Sequence, residues 1–240
     1  MSDGYGVVSL DASQWEPAPD SPAVSTTELT ASLGCQHLWV TAYSLPGRTS
    51  VALPADREQI CVPLGGTAPL ALGDETAVSP DGVGRVPAGV AASLGSDEGT
   101  TVIVVAAPGA PTPGVPCSAV SLADRAFPEP STSTIGTARL TAVLGCRGLK
   151  VNARLLEPGD VVPYHTEGDQ EELFVPVSGP ASMRIADATV ETPPGTVARV
   201  APEVPRSACN HGETDSYWVM FGAPPTGGPD DWDPGAEVLE

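Results

Sequence analysis

Hydrophobic residues occur in short runs that are separated by turn-forming residues. Residues 38–43, 101–105 and 217–221 are rich in β-branched and aromatic side chains, a pattern typical of β-strands. The chain contains 26 glycines and 27 prolines, which interrupt almost every stretch long enough for a helix. Only residues 9–16 and 117–127 have a weak helical pattern. The sequence therefore predicts an all-β fold.

Two segments of the chain resemble each other in the same order. The matches pair Val8-Ser9-Leu10 with Val120-Ser121-Leu122, Leu33-Gly34-Cys35 with Leu144-Gly145-Cys146, Val62-Pro63-Leu64-Gly65-Gly66 with Val175-Pro176-Val177-Ser178-Gly179, Arg85-Val86 with Arg199-Val200, and Ala106-Ala107-Pro108 with Gly222-Ala223-Pro224. We predict two all-β domains, residues 7–108 and 119–224, joined by a Pro/Gly linker at 109–118. Residues 225–240 form an acidic tail in which Trp232 could pack.

The net charge of the chain is strongly negative. Its 30 acidic residues outnumber 11 basic ones, giving a formal charge of -19. Nucleic acid and anionic membrane surfaces are excluded as partners because they would be repelled. Residues 1–116 carry 12 acidic and 3 basic residues and residues 117–240 carry 18 and 8, so the excess is similar in both halves. The charge therefore follows the solvent rather than a site, and predicts a halophilic, archaeal source.

The compartment is expected to be the cytoplasm. The N-terminal residues lack a basic and apolar targeting pattern, and no run of about 18 apolar residues predicts a membrane span. Five widely spaced cysteines fit neither a disulfide framework nor a zinc site, so we expect plain thiols, with a reactive thiol or a disulfide as the alternative.

One segment of the second repeat carries a recognisable spacing. Gly159, His165, Glu167, Glu172 and Gly179 follow the pattern G-x5-H-x-H-x(3,4)-E-x6-G, with Glu167 in place of the second histidine. This segment resembles the first motif of the cupin superfamily. The second motif, G-x5-P-x-G-x2-H-x3-N, matches at Gly195 and Asn210, while Arg206 replaces its histidine. The resemblance implies two tandem cupin barrels, each a double-stranded β-helix or jelly roll.

The resemblance also implies where chemistry would lie. In the first repeat the counterparts of His165, Glu167, Glu172 and Arg206 are Leu53, Ala55, Gln59 and Ala92, which are poor metal ligands. The second barrel is therefore the candidate site. Its imidazole and two carboxylates would suit Mn or Fe better than zinc or copper.

Several roles stay open at this stage. The cluster of His165, Glu167 and Glu172 predicts either a metal site or a relict polar cavity neutralised by Arg206. Arg206 forms either an internal salt bridge or an anchor for an anionic ligand. Tyr164 could line the mouth of the barrel, and Glu171 should lie on the outer, solvated face of its strand. His211 is expected in an exposed loop, and His37 on the surface or packed within a strand.

The functional hypotheses belong to three classes. A non-catalytic binder of a small anionic molecule, with at most weak metal dependence, is the first. A metal-dependent enzyme of dioxygenase, isomerase or decarboxylase type is the alternative. A purely structural protein is the third, and the chain is expected to be a monomer or a homodimer.

Overall fold

A computed structural model describes residues 4–112, 114–128, 135–227 and 237–239. The first half contains β1 (Tyr5–Ser9), β2 (Glu16–Ala18), β3 (Ser21–Glu28), β4 (Trp39–Pro46), β5 (Thr49–Leu53), β6 (Glu58–Leu64), β7 (Leu70–Leu72), β8 (Thr76–Val78), β9 (Gly82–Val86), β10 (Ala92–Ser96) and β11 (Gly99–Ala107). The second half contains β12 (Ser118–Ser121), β13 (Gly136–Arg139), β14 (Lys150–Leu156), β15 (His165–Thr166), β16 (Glu171–Ser178), β17 (Ser182–Ile185), β18 (Ala188–Glu191), β19 (Thr196–Val200), β20 (Arg206–Cys209), β21 (Ser216–Ala223) and β22 (Glu237–Val238). The all-β prediction is confirmed.

The short helices differ from those predicted. Residues 117–127 contain the strand β12 instead of a helix. In residues 9–16 the helical part is limited to a 3-10 turn at Leu10–Ala12. Two single-turn helices, α1 (Thr30–Leu33) and α2 (Thr141–Leu144), end at Gly34 and Gly145 with φ of 71° and 75°. Glycine adopts this left-handed conformation without steric cost, which explains the repeated Leu-Gly-Cys sequence. Within the described residues, no helix is long and apolar enough to cross a membrane.

The strands form two units with the same strand order. The first unit, built mainly from the first repeat, pairs a seven-stranded sheet, β12-β9-β6-β11-β4-β3-β2, with a four-stranded sheet, β5-β10-β7-β8. The second unit, built mainly from the second repeat, pairs a six-stranded sheet, β1-β19-β16-β21-β14-β13, with a five-stranded sheet, β18-β17-β20-β15-β22. A hydrophobic core fills the space between the sheets of each unit, as in a jelly roll.

The first strand of each repeat lies in the sheet of the other unit. β1 pairs with β19 from Tyr5↔Val200 to Ser9↔Thr196, and β12 pairs with β9 from Ser118↔Arg85 to Ser121↔Gly82. The sheets therefore do not follow the boundaries expected at residues 7 and 119. In the linker, residues 109–112 and 114–117 contain no strand or helix among the described positions. The expected tail at 225–240, including Trp232, falls mostly outside the described residues.

A third core joins the two units. The outer faces of the large sheets pack together through residues such as Val62 and Ile103 on one side and Val175 and Phe221 on the other. Along β16, Leu173 and Val175 face this central core, while Phe174 faces the core of its own unit. The period of two is therefore maintained along the strand, and its outer face is buried rather than solvated.

The burial of that face overturns the expectation for Glu171. Glu171 is 1% exposed, and its carboxylate pairs with Arg199 Nε at 2.8 Å. It also accepts hydrogen bonds from the backbone N–H groups of Gln36, His37 and Leu38 in the other unit. Glu171 is thus an interface group and not a solvated surface group.

The other unit contains the equivalent arrangement. Glu58 pairs with Arg85 at 2.7 Å and accepts hydrogen bonds from the backbone N–H groups of Arg147 and Gly148. Both carboxylates are fully satisfied, as a buried charge must be to avoid a large desolvation cost. We call Glu58–Arg85 and Glu171–Arg199 the interface ion pairs, because each fixes a loop of the opposite unit.

Candidate functional site

The position of the candidate site follows from the pairing of two short strands. β15 pairs with β20 at His165↔Arg206, which brings the two motif segments side by side. In the first unit β5 pairs with β10, and Ala92 lies opposite Leu53. These are the counterparts of Arg206 and His165, so the same register presents polar groups in one unit and apolar groups in the other. The Gln59 side chain there donates to the carbonyl oxygen of Pro54.

Three predicted ligands meet inside the second unit. His165 Nε2 lies 3.4 Å from Glu167 Oε1 and 3.8 Å from Glu172 Oε2. One ligand atom from each of these residues lies within 4.8 Å of the others. His165 and Glu167 are 2% and 8% exposed, so the cluster is almost enclosed.

The tautomer of His165 is set by its second ring nitrogen. Nδ1 lies 2.7 Å from the carbonyl oxygen of Pro163, which can only accept a hydrogen bond, so Nδ1 carries a proton. Nε2 is left facing the two carboxylates. This is the arrangement in which a histidine presents a lone pair to a metal while its other nitrogen is held by a backbone carbonyl.

The proximity of these groups shifts their pKa values. Burial alone would lower the pKa of His165, but its interactions with Glu167 and Glu172 outweigh burial and raise this pKa to about 9. Burial and the charge of Glu172 raise the pKa of Glu167 to about 7, against opposing contributions from His165 and Arg206. Burial opposes ionisation of Glu172, yet the neighbouring His165 and Arg206 lower its pKa. Without a metal, His165 therefore holds its proton more tightly than a free imidazole does.

Arg206 is held mainly by the backbone. Nη1 and Nη2 donate to the carbonyl oxygens of Pro202 and Ala201, each at 3.1 Å. Only Nε approaches Glu172 Oε2, at 3.3 Å and without hydrogen-bond geometry. The ion pair is thus present but not bidentate.

One residue of the site was missed from the sequence. Arg154 on β14 is 7% exposed, and the charges of Glu172 and Glu167 act on it. Burial lowers the pKa of its guanidinium while these two carboxylates raise it. A signal was available, because Lys150, Asn152 and Arg154 alternate with apolar residues and so share one face of the strand.

The glycines and the asparagine of the motifs form the turns around the site. Gly159, Gly179 and Gly195 have φ of 89°, 78° and 89°. Asn210 donates from Nδ2 to the carbonyl oxygens of Leu156 and Thr214, each at 2.9 Å, while its Oδ1 accepts from the backbone of Gly212. These residues hold the connecting turns and do not supply ligands.

The remaining candidates lie outside the cluster. Tyr164 donates from its hydroxyl to the carbonyl oxygen of Ala186, and Arg184 stacks on its ring at 4.0 Å, so the side chain packs against the β17–β18 hairpin. His211 and His37 are exposed. All five cysteines are free thiols, and burial raises the pKa of Cys35 and Cys146 to about 12.

Three clefts of about 670, 560 and 380 Å³ lie on the described surface. Their linings include residues such as Thr26, Trp15 and Tyr217, and none contains a member of the His165 cluster. The clustered ionisable groups are thus inside the second unit and not in these clefts.

Comparisons with known proteins identify the fold. No family model and no curated protein sequence matches the chain. Among solved structures, it is similar to a glyoxylate-induced protein from Pseudomonas aeruginosa, with a TM-score of 0.71 and 16% identity over 92% of this chain and 89% of that one. It is also similar to oxalate decarboxylase from Bacillus subtilis, with a TM-score of 0.70 and 14% identity over 98% of this chain and 79% of that one. A further structure of that decarboxylase, whose description refers to Mn(II) centres, has a TM-score of 0.68 and 14% identity. The chain therefore has the cupin fold.

Proposed function

We propose that this protein is a tandem cupin that binds a small organic anion, with the help of a divalent cation, inside the domain of residues 119–224. The domain of residues 7–108 then has a supporting role. The observation that carries the proposal is the convergence of His165, Glu167 and Glu172, whose ligand atoms lie within 4.8 Å of one another. Their donor set of one imidazole and two carboxylates fits Mn or Fe.

The hydrogen bond at His165 Nδ1 supports the presence of a cation. It leaves Nε2 facing two carboxylates, an arrangement that favours a positive species at this point. A proton on Nε2 can satisfy that need, and so can a metal ion. The two compete for the same lone pair, so metal binding should release a proton.

The balance of charge supports an anionic ligand. Arg154 and Arg206 offset the charges of Glu167 and Glu172, so the four groups sum to zero. A divalent cation beside neutral His165 would bring the total to about +2. A buried site with this charge is stabilised by an anion, because an uncompensated charge in a protein interior is costly.

The bound cation would supply positive charge and Lewis acidity at the anion. Arg154 and Arg206 would orient the ligand, and the apolar residues in the core of the second unit would exclude water. The small acids named in the descriptions of two structural neighbours, glyoxylate and oxalate, are compatible with such a ligand. At this level of identity they support a class of ligand and not a particular substrate.

A metal-dependent enzyme of dioxygenase, isomerase or decarboxylase type is the second candidate. It is favoured by the convergence of His165, Glu167 and Glu172, and by the structural similarity to oxalate decarboxylase, one description of which refers to Mn(II) centres. Consumption of a small acid by the Mn-loaded protein, lost in Glu167→Gln, would support catalysis. Binding without consumption by either protein would leave the binder as the function.

We also propose that the protein works as a monomer or homodimer in the cytoplasm of a halophilic archaeon. The acidic surface supports this setting, since concentrated salt screens the mutual repulsion of carboxylates.

Metal analysis tests the proposal. Protein purified without chelator should contain about one Mn or Fe ion per chain, and Glu172→Gln should lose most of it. Glu213→Gln, which alters an exposed carboxylate, is the matched control and should keep the metal. Substoichiometric metal that is unchanged in Glu172→Gln would refute the cation site.

A further inference from the structure

Two buried side chains on neighbouring strands have hydrogen-bond donors that the protein does not use. Arg154 of β14 lies directly opposite Trp218 of β21, and both face the inner core of the second unit. Arg154 is 7% exposed and Trp218 is fully buried. Within the part of the chain that the structure describes, Arg154 Nε, Arg154 Nη1 and Trp218 Nε1 have no acceptor.

Such a set of donors is unusual in a protein interior. A buried donor without a partner costs about 1–3 kcal/mol, and more when it belongs to a charged group. Most buried polar groups in proteins are therefore satisfied. The equivalent cost is avoided at Arg85 and Arg199, whose guanidinium groups pair with glutamates. Arg154 thus differs from the structural arginines of the same fold.

The carboxylates near Arg154 do not fill this role. Glu172 and Glu167 are close enough for their charges to act on the guanidinium, yet neither accepts a hydrogen bond from it among the described contacts. Both face His165 instead. The donors of Arg154 and Trp218 therefore have no acceptor among the described residues.

Apolar side chains also lie in this core. Phe174, Met183 and Met220 belong to the same buried cluster as Trp218. An acceptor placed here would have one charged end beside the arginine and an apolar body against these side chains. A carboxylate has two oxygens and a single charge, which suits donors from a guanidinium and an indole.

We propose that Arg154 and Trp218 form a subsite for the carboxylate of a small, largely apolar organic acid. This inference names the ligand class of the proposed anion pocket and rests on that pocket lying in the second unit. It does not require the cation, because the donors belong to the protein alone. An ordered water molecule on the same donors is the competing explanation.

The indole N–H of Trp218 provides a direct test. Chelator-treated, desalted and ¹⁵N-labelled protein is titrated with propionate, and the indole resonance is assigned with Trp218→Phe. Propionate should shift this resonance in a saturable way, while propionamide, which has the same shape without charge, should not. Absence of a saturable propionate shift would overturn the proposal and leave a water molecule as the explanation for these donors.

Variants of the arginine test its part. Arg154→Gln should raise the propionate concentration at half-saturation by about 10- to 100-fold, because a hydrogen bond to a charged group is lost. Arg139→Gln removes an exposed arginine from the adjacent strand β13 and should leave the titration unchanged. If Arg154→Gln does not fold, Arg154→Lys is tested instead. This variant keeps the charge and should bind propionate with intermediate affinity. Equal half-saturation in the Arg154 and Arg139 variants would refute the role of Arg154.

The outcome can be separated from that of the cation site. If propionate shifts the Trp218 resonance while Glu172→Gln leaves the metal content unchanged, the carboxylate subsite is supported and the cation site is refuted. If metal binds at His165 but propionate causes no shift, the cation site is supported and the carboxylate subsite is refuted.

Discussion

Replacing Glu171 by glutamine should destabilise the whole chain, because this residue joins the two units. The side chain accepts hydrogen bonds from three backbone N–H groups of the opposite unit at 2.6–3.1 Å. It also pairs with Arg199 at 2.8 Å, where both side chains are 5% exposed or less. Glutamine has nearly the same shape but no charge, and its amide nitrogen would face donors instead of accepting from them.

The expected loss of stability arises because replacing Glu171 leaves the charge of Arg199 buried without its partner. Removing one partner of a buried ion pair typically costs about 3–5 kcal/mol, since the other charge stays buried without compensation. Counting each charge-assisted hydrogen bond separately would give a larger value, but neighbouring groups rearrange and such contributions are not additive. We therefore expect Glu171→Gln to lower the free energy of unfolding by about 3–5 kcal/mol.

Urea denaturation at fixed salt concentration measures this quantity. Glu58→Gln, which alters the equivalent residue of the other unit, should have a similar effect. Glu213→Gln should change stability by no more than about 0.5 kcal/mol, as exposed substitutions usually do. If Glu171→Gln and Glu213→Gln unfold at the same urea concentration, the interface ion pairs do not stabilise the fold as argued.

Three further outcomes can be checked by unfolding experiments. The pKa of His165 is raised from 6.5 to about 9 in the folded, metal-free protein, so its contribution to stability is complete below pH 6.5 and is lost as the pH rises through 9. The free energy of unfolding should fall by about 3 kcal/mol over that window, and a profile that stays the same in His165→Gln would contradict the assignment. The melting temperature should rise as KCl is increased to molar concentrations, because salt screens the net charge of -19; a falling temperature would argue against a halophilic source. Gly179→Ala should destabilise the protein more than Gly195→Ala does. A Cβ at Gly179 would overlap the carbonyl oxygen of Asp215, whereas a Cβ at Gly195 would have no described atom beyond its chain neighbours within 4 Å. The second substitution should cost about 1–2 kcal/mol for the left-handed backbone alone, and equal losses would contradict this reasoning.

The sequence predicted the features that depend on local spacing. The motif spacing placed His165 and Arg206 at corresponding points of the two motif segments, and the structure pairs these residues across β15 and β20. The same alignment identified Leu53 and Ala92 as their counterparts in the first repeat, and these two residues also pair. Turn glycines and alternation along strands are local properties of the chain, so a sequence pattern records them directly.

Features that depend on the assembly of the two units were not predicted. The alternation correctly put Glu171 on the outer face of its strand, but it did not reveal that another sheet covers this face. The exchange of β1 and β12 between the sheets depends on long-range pairing, which short motifs do not record. Arg154 lies outside both motifs, and the charge of Glu172 acts on it because β14 and β16 lie on either side of β21 in the sheet.

The position of a bound cation is the most direct test of the proposed site. Crystals soaked in Mn²⁺ and measured at the manganese absorption edge should give one anomalous peak, in contact with His165 Nε2 and a carboxylate oxygen of both Glu167 and Glu172. The peak should be absent in crystals of Glu172→Gln. Full soaking without a peak at these three residues, or with a peak only on surface carboxylates, would contradict the proposal that the second unit holds a cation.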